Sequence, residues 1–555
     1  MIVRGPGIPN AFSVLAMVLV VSLAAVPACT PGGDGDSPEL HKLKDINISK
    51  EDIRAHIEFL ASDLLEGRAP GTRGGELAEE YVRSVFRTCG FEPYYDSDGY
   101  FQEFTMKGYT LTDLEMNAAG VSLRLGEDVV GSFPRDVESF SLTTDAVFCG
   151  YGIKSEAWSW DDYKDNDVSG KIVIVRVNEP GRDLPPPLTV DEDVLFEGGA
   201  LTYFGRWDYK INEAASRGAR GILLVHTTET AGYGWNVVQN SWSGEELYLE
   251  SDLDNDLSFR GWIREDRLRE ILSNKGIDLE ELYARSETPD FRPVGLDLQV
   301  SVEGANSYRS FETRNVVGLI PGSDPANKDK AILLSAHIDH LGMNEDLPGD
   351  DKIFNGAIDN GSAVAAMLAT ARALGERQEE LKYSVIILAC QAEESGLLGS
   401  YHFALSLDPD NIICNINYES TPVWERTGDI FALGAKYSSL EGILHEILAE
   451  QRLGYTYFSM YEQGFYYRSD QFSFARRGIP SIWLSAGDEY ADGEERLRNF
   501  FFGGAYHTVD DEYDPAWPLG GTVQTVETAV RLALYINRHT PTIEWKGRMT
   551  FPIEQ

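Results

Sequence analysis

Apolar positions recur along this chain in two rhythms. Over residues 48–90, ISKEDIRAHIEFLASDLLEGRAPGTRGGELAEEYVRSVFRTCG places them at helical spacing, broken by the loop EGRAPGTRGG. That pattern predicts helix, loop, helix. From about residue 312, short apolar runs alternate with longer amphipathic ones: KAILLSAH, SAVAAMLATARALGE, YSVIILAC, NIICNINY, EGILHEILAEQ and PSIWLSAG. Runs that lack polar alternation fit strands buried on both faces, so this half predicts an α/β fold, a mixed, largely parallel sheet sandwiched by helices.

The stretch between changes rhythm. It carries the β-like runs DAVFCGYGI and GKIVIVRVN, a Pro-rich loop PGRDLPPPLT, a helix-like DYKINEAASRGA and a further strand RGILLVHTT. We read residues 138–303 as a β-rich inserted domain that divides a main domain into 48–137 and 304–555. At the start, Arg4 precedes the apolar run AFSVLAMVLVVSLAAVPA, which ends at Cys29 and gives way to TPGGDGDS. Residues 1–28 read as an export signal and 29–47 as a tether. Three outcomes stay open: lipid attachment to Cys29, giving a cell-envelope lipoprotein, ordinary cleavage after Ala28 and release, or a retained membrane helix, for which the run is barely long enough.

Charge narrows the partners. With 48 Lys and Arg against 89 Asp and Glu, the formal charge of -41 repels nucleic acid and anionic lipid surfaces. The five cysteines show no C-x-x-C spacing, which argues against a disulfide scaffold and a Cys-ligated metal. Cys390 and Cys414 fall in apolar runs and read as small buried hydrophobes.

In open α/β sheets ligands gather beyond the carboxyl ends of the strands. The residues there are metal-ligand types: His337, Asp339 and His340 after AILLSA, Glu393 and Glu394 after VIILAC, and Glu419 after NIICNINY. Asp359 stands before the Ala-rich helix, and His507 lies in a polar loop. Two imidazoles with several carboxylates are the donors of a two-zinc hydrolytic site, with one acid left to carry protons.

The stretches SAHIDHLG, NGAIDNGSAVAAML, LACQAEESGLLGS, NINYES, FYYRSDQFSFARRGIP and YHTVDDEYDP resemble, in order, the zinc-dependent peptidases of family 28 in clan MH. That family includes bacterial aminopeptidases, glutamate carboxypeptidase and the transferrin receptor ectodomain. HIEFLASDLLEGRAPGTRGGELAEEYV resembles the family's opening segment, and 138–303 its protease-associated (PA) domain. The resemblance implies the zinc-exopeptidase fold and two zinc ions held by His337, Asp359, Glu394, Glu419 and His507, with Asp359 bridging. It implies Glu393 as general acid/base, Asp339 as the acid that orients His337, and Tyr506 as a donor to the oxyanion. Two positions depart from the pattern: Glu419 stands where the family has Asp, and Gln471 where RSDH has His.

His226, His340, His402 and His445 read as structural, and Asp510 and Glu512 as solvated loop charges. For Asp511 a supporting role beside His507 and a structural one stay equally open. GYGWNVVQNSWSG offers aromatic residues either for packing or for a substrate groove. The expected activity is removal of N-terminal residues from peptides. A carboxypeptidase, for which Arg468 is a candidate carboxylate partner, and a non-catalytic receptor-like protein are the alternatives, and the oligomeric state is left open.

Overall fold

The computed structural model describes residues 46–95, 99–186, 193–231, 234–242, 244–251, 257–457 and 461–554. The expected export signal and Cys29 lie outside the described residues. Helix α1 (Lys50–Leu60) starts where the Ser49 hydroxyl accepts from the Asp52 N–H, and it buries Ile53, Ile57 and Leu60 along one face. Helix α2 (Arg73–Thr88) is capped by Thr72 and buries Ala78, Val82 and Phe86. Between them Glu66, Gly67 and Arg68 all have positive φ, at 49°, 71° and 55°, so the chain makes a tight left-handed turn.

Two long antiparallel strands, β1 (Phe101–Ala118) and β2 (Val294–Ile320), link the middle region to the C-terminal part. The first part of β2 pairs with Ser139–Phe148 of the middle region, and its last residues, Val316 to Ile320, pair with Ser384–Cys390. The sheet therefore runs unbroken from one region into the other. Beyond β2 stand β3 (Ala331–His337), β4 (Ser384–Cys390), β5 (Ile412–Asn417) and β6 (Ser481–Ala486), ordered β6-β5-β3-β4-β2. The first four are mutually parallel. Every residue of β3, β4 and β6 is buried, as unalternating apolar runs require.

Helices cover both faces. The small side chains of α3 (Ala363–Gly375) let it lie close to the sheet, flanked by α1 and by α5 (Gly520–His539). On the other face α4 (Leu398–Ser406) sets Phe403 and Ala404 against Leu333, Ile386 and Leu388. The fold is thus the mixed α/β arrangement that the chain's rhythm predicts.

In the middle region Ser139–Phe148, Ile172–Arg176, Gly221–His226 and Phe259–Arg264 form a parallel series with a core on each face. The two tryptophans of its Trp-rich segment pack internally: Trp242 meets Trp207 edge-on, and the Trp235 indole donates to the Gly126 carbonyl at 2.7 Å. For these two residues the packing reading holds. Cys149, Cys390 and Cys414 are buried thiols, and Cys89 is partly buried. Among the described residues no helix is long and apolar enough to cross a membrane.

Candidate metal centre

The parallel strands end together, and that brings the predicted residues to one place. His337 closes β3, Glu393 and Glu394 follow β4, and Glu419 follows β5. Asp359 sits in the helical turn 357–362 that leads into α3, while His507 comes from the loop before α5.

Asp359 lies between the two histidines. Its Oδ1 is 3.3 Å from His337 Nε2, and its Oδ2 is 3.2 Å from His507 Nε2. On the His337 side Glu419 Oε2 is 3.3 Å away, with Glu393 Oε2 farther at 3.9 Å. On the His507 side Glu394 Oε2 is 3.0 Å away. Donor atoms of His337, Asp359 and Glu394 fall within 4.8 Å of one another, as do those of His337, Glu393 and Glu419. Despite these short distances Asp359 Oδ1 and His507 Nε2 make no hydrogen bond, and both are buried atoms. Atoms so close, so buried and unbonded have the geometry of ligands facing a shared cation.

Electrostatics points the same way. Burial disfavours the charged form of Glu393, and Glu419 and Glu394 push its pKa further up, well above the usual carboxylate range. Burial acts oppositely on His337, but Glu419, Glu393 and Asp359 outweigh it and hold the imidazole well above its ordinary value. His507 is raised to about 10 against burial, by Glu394 and Asp359. The acids around them thus draw both imidazoles toward the charged form.

The surrounding groups fix these side chains. Glu419 Oε2 accepts from the Ser469 hydroxyl at 2.7 Å and Oε1 from Ser420 at 3.0 Å, while the Trp483 indole donates to its carbonyl. Gln471 accepts from the Asn417 amide at 2.8 Å and donates to the Tyr466 carbonyl at 2.7 Å. It orders the Asn417–Ser469–Glu419 chain rather than reaching the centre. Asp511 accepts from the N–H groups of Ile358 and Asp359, both at 2.9 Å, so it supports the Asp359 turn. Asp510 and Glu512 are exposed, as expected.

Two expectations change. Asp339 does not orient His337 through its carboxylate, which stands 3.7 Å from Nδ1 and instead accepts from the N–H groups of Glu393 and Glu394. His337 Nδ1 faces the Asp339 carbonyl oxygen at 3.2 Å, so the main chain two residues on, not the carboxylate, meets the ring. Asp339 is therefore the fixture of the paired glutamates; burial raises it to about 7. His340, read from the sequence as structural, is part of the cluster: its Nδ1 lies 2.6 Å from Glu394 Oε1. Its place one residue past Asp339, on the same strand exit, was the available signal.

Arg68 went unnoticed because it lies some 270 residues upstream in sequence, yet it is buried directly behind these loops and donates to the Ile338 carbonyl at 2.9 Å. The cleft above the site is lined by Asp359, Glu393, Glu419, Phe465, Arg468, Ser469, Trp483, Phe501 and Tyr506.

Residues 315–531, which include all eight predicted site residues, match the model of peptidase family M28. The chain carries an M28 peptidase domain. A Mycobacterium tuberculosis protein named "Probable lipoprotein aminopeptidase LpqL" is 29% identical over 266 residues, 44% of this chain and 48% of that one. A Schizosaccharomyces pombe protein named as endoplasmic reticulum metallopeptidase 1 is 28% identical over 181 residues, 30% of this chain and 21% of that one. The chain thus matches half or less of the length of these curated relatives. Among solved structures, an aminopeptidase from Aneurinibacillus sp. strain AM-1 is 16% identical, covering 92% of this chain and 97% of its own, with a TM-score of 0.49. A zinc aminopeptidase from Bacillus subtilis is 17% identical, covering 89% and 95%, with a TM-score of 0.42.

Proposed function

We propose that this protein is an exported di-zinc exopeptidase that removes N-terminal residues from peptides. The observation that carries the proposal is Asp359 lying between two histidines with one oxygen toward each. His337, Glu419 and Asp359 would hold one zinc, and His507, Glu394 and Asp359 the other. The imidazole and carboxylate donors suit zinc, and the unbonded Asp359 and His507 atoms fit the group. Zinc, when bound, supplies a Lewis acid that lowers the pKa of water and polarises a carbonyl.

The chain's own residues do the rest. Glu393, held by Asp339 at its backbone, takes a proton from the attacking water and returns it to the leaving amine. Its raised pKa favours the protonated state needed for the second transfer. Tyr506 lines the cleft, where its hydroxyl can donate to the oxygen that gains charge. The aromatic walls Phe465, Trp483 and Phe501 exclude water and would receive the side chain beside the scissile bond.

An export signal at 1–28 and a lipidated Cys29 would place the enzyme at the cell envelope; the name of the M. tuberculosis relative supports this. The carboxypeptidase reading keeps one observation. Arg468 lines the cleft, and among the described residues its guanidinium makes no hydrogen bond or ion pair.

A panel of peptides separates these readings. The aminopeptidase cleaves free-amine peptides whether or not the C-terminus is amidated, and fails on N-acetylated ones. A carboxypeptidase gives the reverse pattern, and cleavage that survives exhaustive chelation defeats both.

A further inference from the structure

The left-handed turn at Glu66–Arg68 has no part in the chemistry proposed above, yet it delivers a cation to the back of the centre. Arg68 is 1% exposed. Its Nε donates to the Ile338 carbonyl at 2.9 Å, Nη2 to Gly356 at 3.0 Å, and Nη1 to both Leu60, at 2.5 Å, and Asn355. Among the described residues no carboxylate forms an ion pair with it. Asp339, Asp359, Asp511 and Glu394 offset its charge from beyond contact distance, while all three nitrogens are spent on main-chain oxygens, an arrangement whose desolvation cost needs a structural return.

The partners identify that return. Ile338 lies between His337 and Asp339, whereas Asn355 and Gly356 open the turn that carries Asp359. One planar fork therefore spans the two loops whose His337 and Asp359 atoms stand 3.3 Å apart. The turn itself is seated tightly. The Gly342 N–H donates to the Gly67 carbonyl at 3.0 Å, and the Asn355 amide returns donors to Ala61 and Asp63 at 2.8 Å each. A Cβ on Gly342 would meet Ala69 Cβ at 2.8 Å, leaving no slack between the segments.

We propose that Arg68 is a positioning residue of the metal centre, clamping the His337 loop to the Asp359 loop at the separation a shared zinc requires. It rests on the two-zinc reading above. Lysine cannot replace it, since a single ammonium cannot span carbonyls on three separate segments.

The test measures zinc dissociation constants of metal-stripped full-length protein by chelator competition, together with melting of the metal-free form. Arg68→Lys and Arg68→Met should bind zinc 10- to 100-fold more weakly than the parent, and millimolar guanidinium should partly restore Arg68→Ala. Gly342→Ala leaves Arg68 intact but pushes the turn outward, and should weaken zinc in the same direction. Should the Arg68 variants fail to fold, Gly342→Ala decides the matter. Variants that melt earlier yet bind zinc like the parent overturn the clamp and leave a purely structural residue. A parent that binds no zinc overturns the two-zinc reading and the clamp together, whereas equal affinities overturn the clamp alone.

Discussion

Two clusters of buried charge, one in each half of the molecule, differ in how complete they are. In the middle region the Lys210 ammonium donates to the carbonyls of Tyr151 and Phe204 at 2.7 and 2.9 Å. Glu179 accepts from the N–H and hydroxyl of Thr202, and Asp162 accepts from the Ile153 N–H and the Trp160 indole. Each charged group there has partners. At the ends of the parallel strands, Asp359 Oδ1, His340 Nε2 and His507 Nε2 have none, although four carboxylates crowd the same volume. Cations and backbone complete the first cluster, while the second leaves ligand atoms at its centre without a partner. Burial of charge alone does not mark a functional site; burial combined with orphaned ligand atoms does.

The largest effect that would sharpen this contrast is on catalysis. Glu393→Gln should lower kcat by about 10²- to 10⁴-fold with zinc content unchanged, as expected for loss of a general acid/base. A variant that turns over within a few-fold of the parent would show that the proton passes elsewhere.

A second break falls on the complete cluster. Lys210→Met removes one of the two cations that act on Glu179, the other being Arg182, leaves two carbonyls without a donor, and should cost about 3 kcal/mol in denaturant unfolding. Adding Glu179→Gln should recover part of that loss, and neither change should alter the stabilisation gained on adding zinc. If zinc stabilisation falls in step with Lys210, the two clusters are not independent.

A smaller change tests Glu419, the unusual candidate ligand. Glu419→Asp restores the acid common in the family but withdraws the carboxylate by about one bond, about 1.5 Å, from Ser420, Ser469 and His337. Zinc affinity should fall about tenfold, measured by chelator competition. Unchanged or tighter binding would mean that the Ser469 and Ser420 hydroxyls do not seat the longer side chain.

How much of this was legible follows from distance along the chain. The strands and their exits could be read because β3 and β4 are apolar at nearly every position and each ends in ligand-type residues. Glu419 and Asp359 followed from the same logic. What pattern could not supply was three-dimensional return. Arg68 looks like an ordinary loop cation until the turn brings it under Ile338 and Asn355. The Asp339 carboxylate could face His337 or the glutamates, and only the backbone's path beyond β3 decides for the latter. Continuity of the sheet through β2 was hidden too, since a 27-residue strand spans two rhythms of sequence.

The smallest expected effect is a pH dependence confined to the complete cluster. Burial raises Asp162 to about 6, against the hydrogen bonds from Ile153 and Trp160. Because the folded chain then holds this proton more tightly than the unfolded chain, the contribution to stability is full below about pH 4. It declines as pH rises toward 6 and is flat above. Asp162→Asn removes the titration, though its amide faces the Trp160 donor and adds a constant cost. The parent should therefore lose on the order of 1 kcal/mol relative to the variant between pH 4 and 6, read from denaturant midpoints at each pH. A pH-independent difference would mean that Asp162 is ionised throughout, stabilised by its two donors and by Lys210. That result would make the middle cluster an ion network rather than a buried acid beside a cation, and would weaken the contrast with the unsatisfied acids around Asp359.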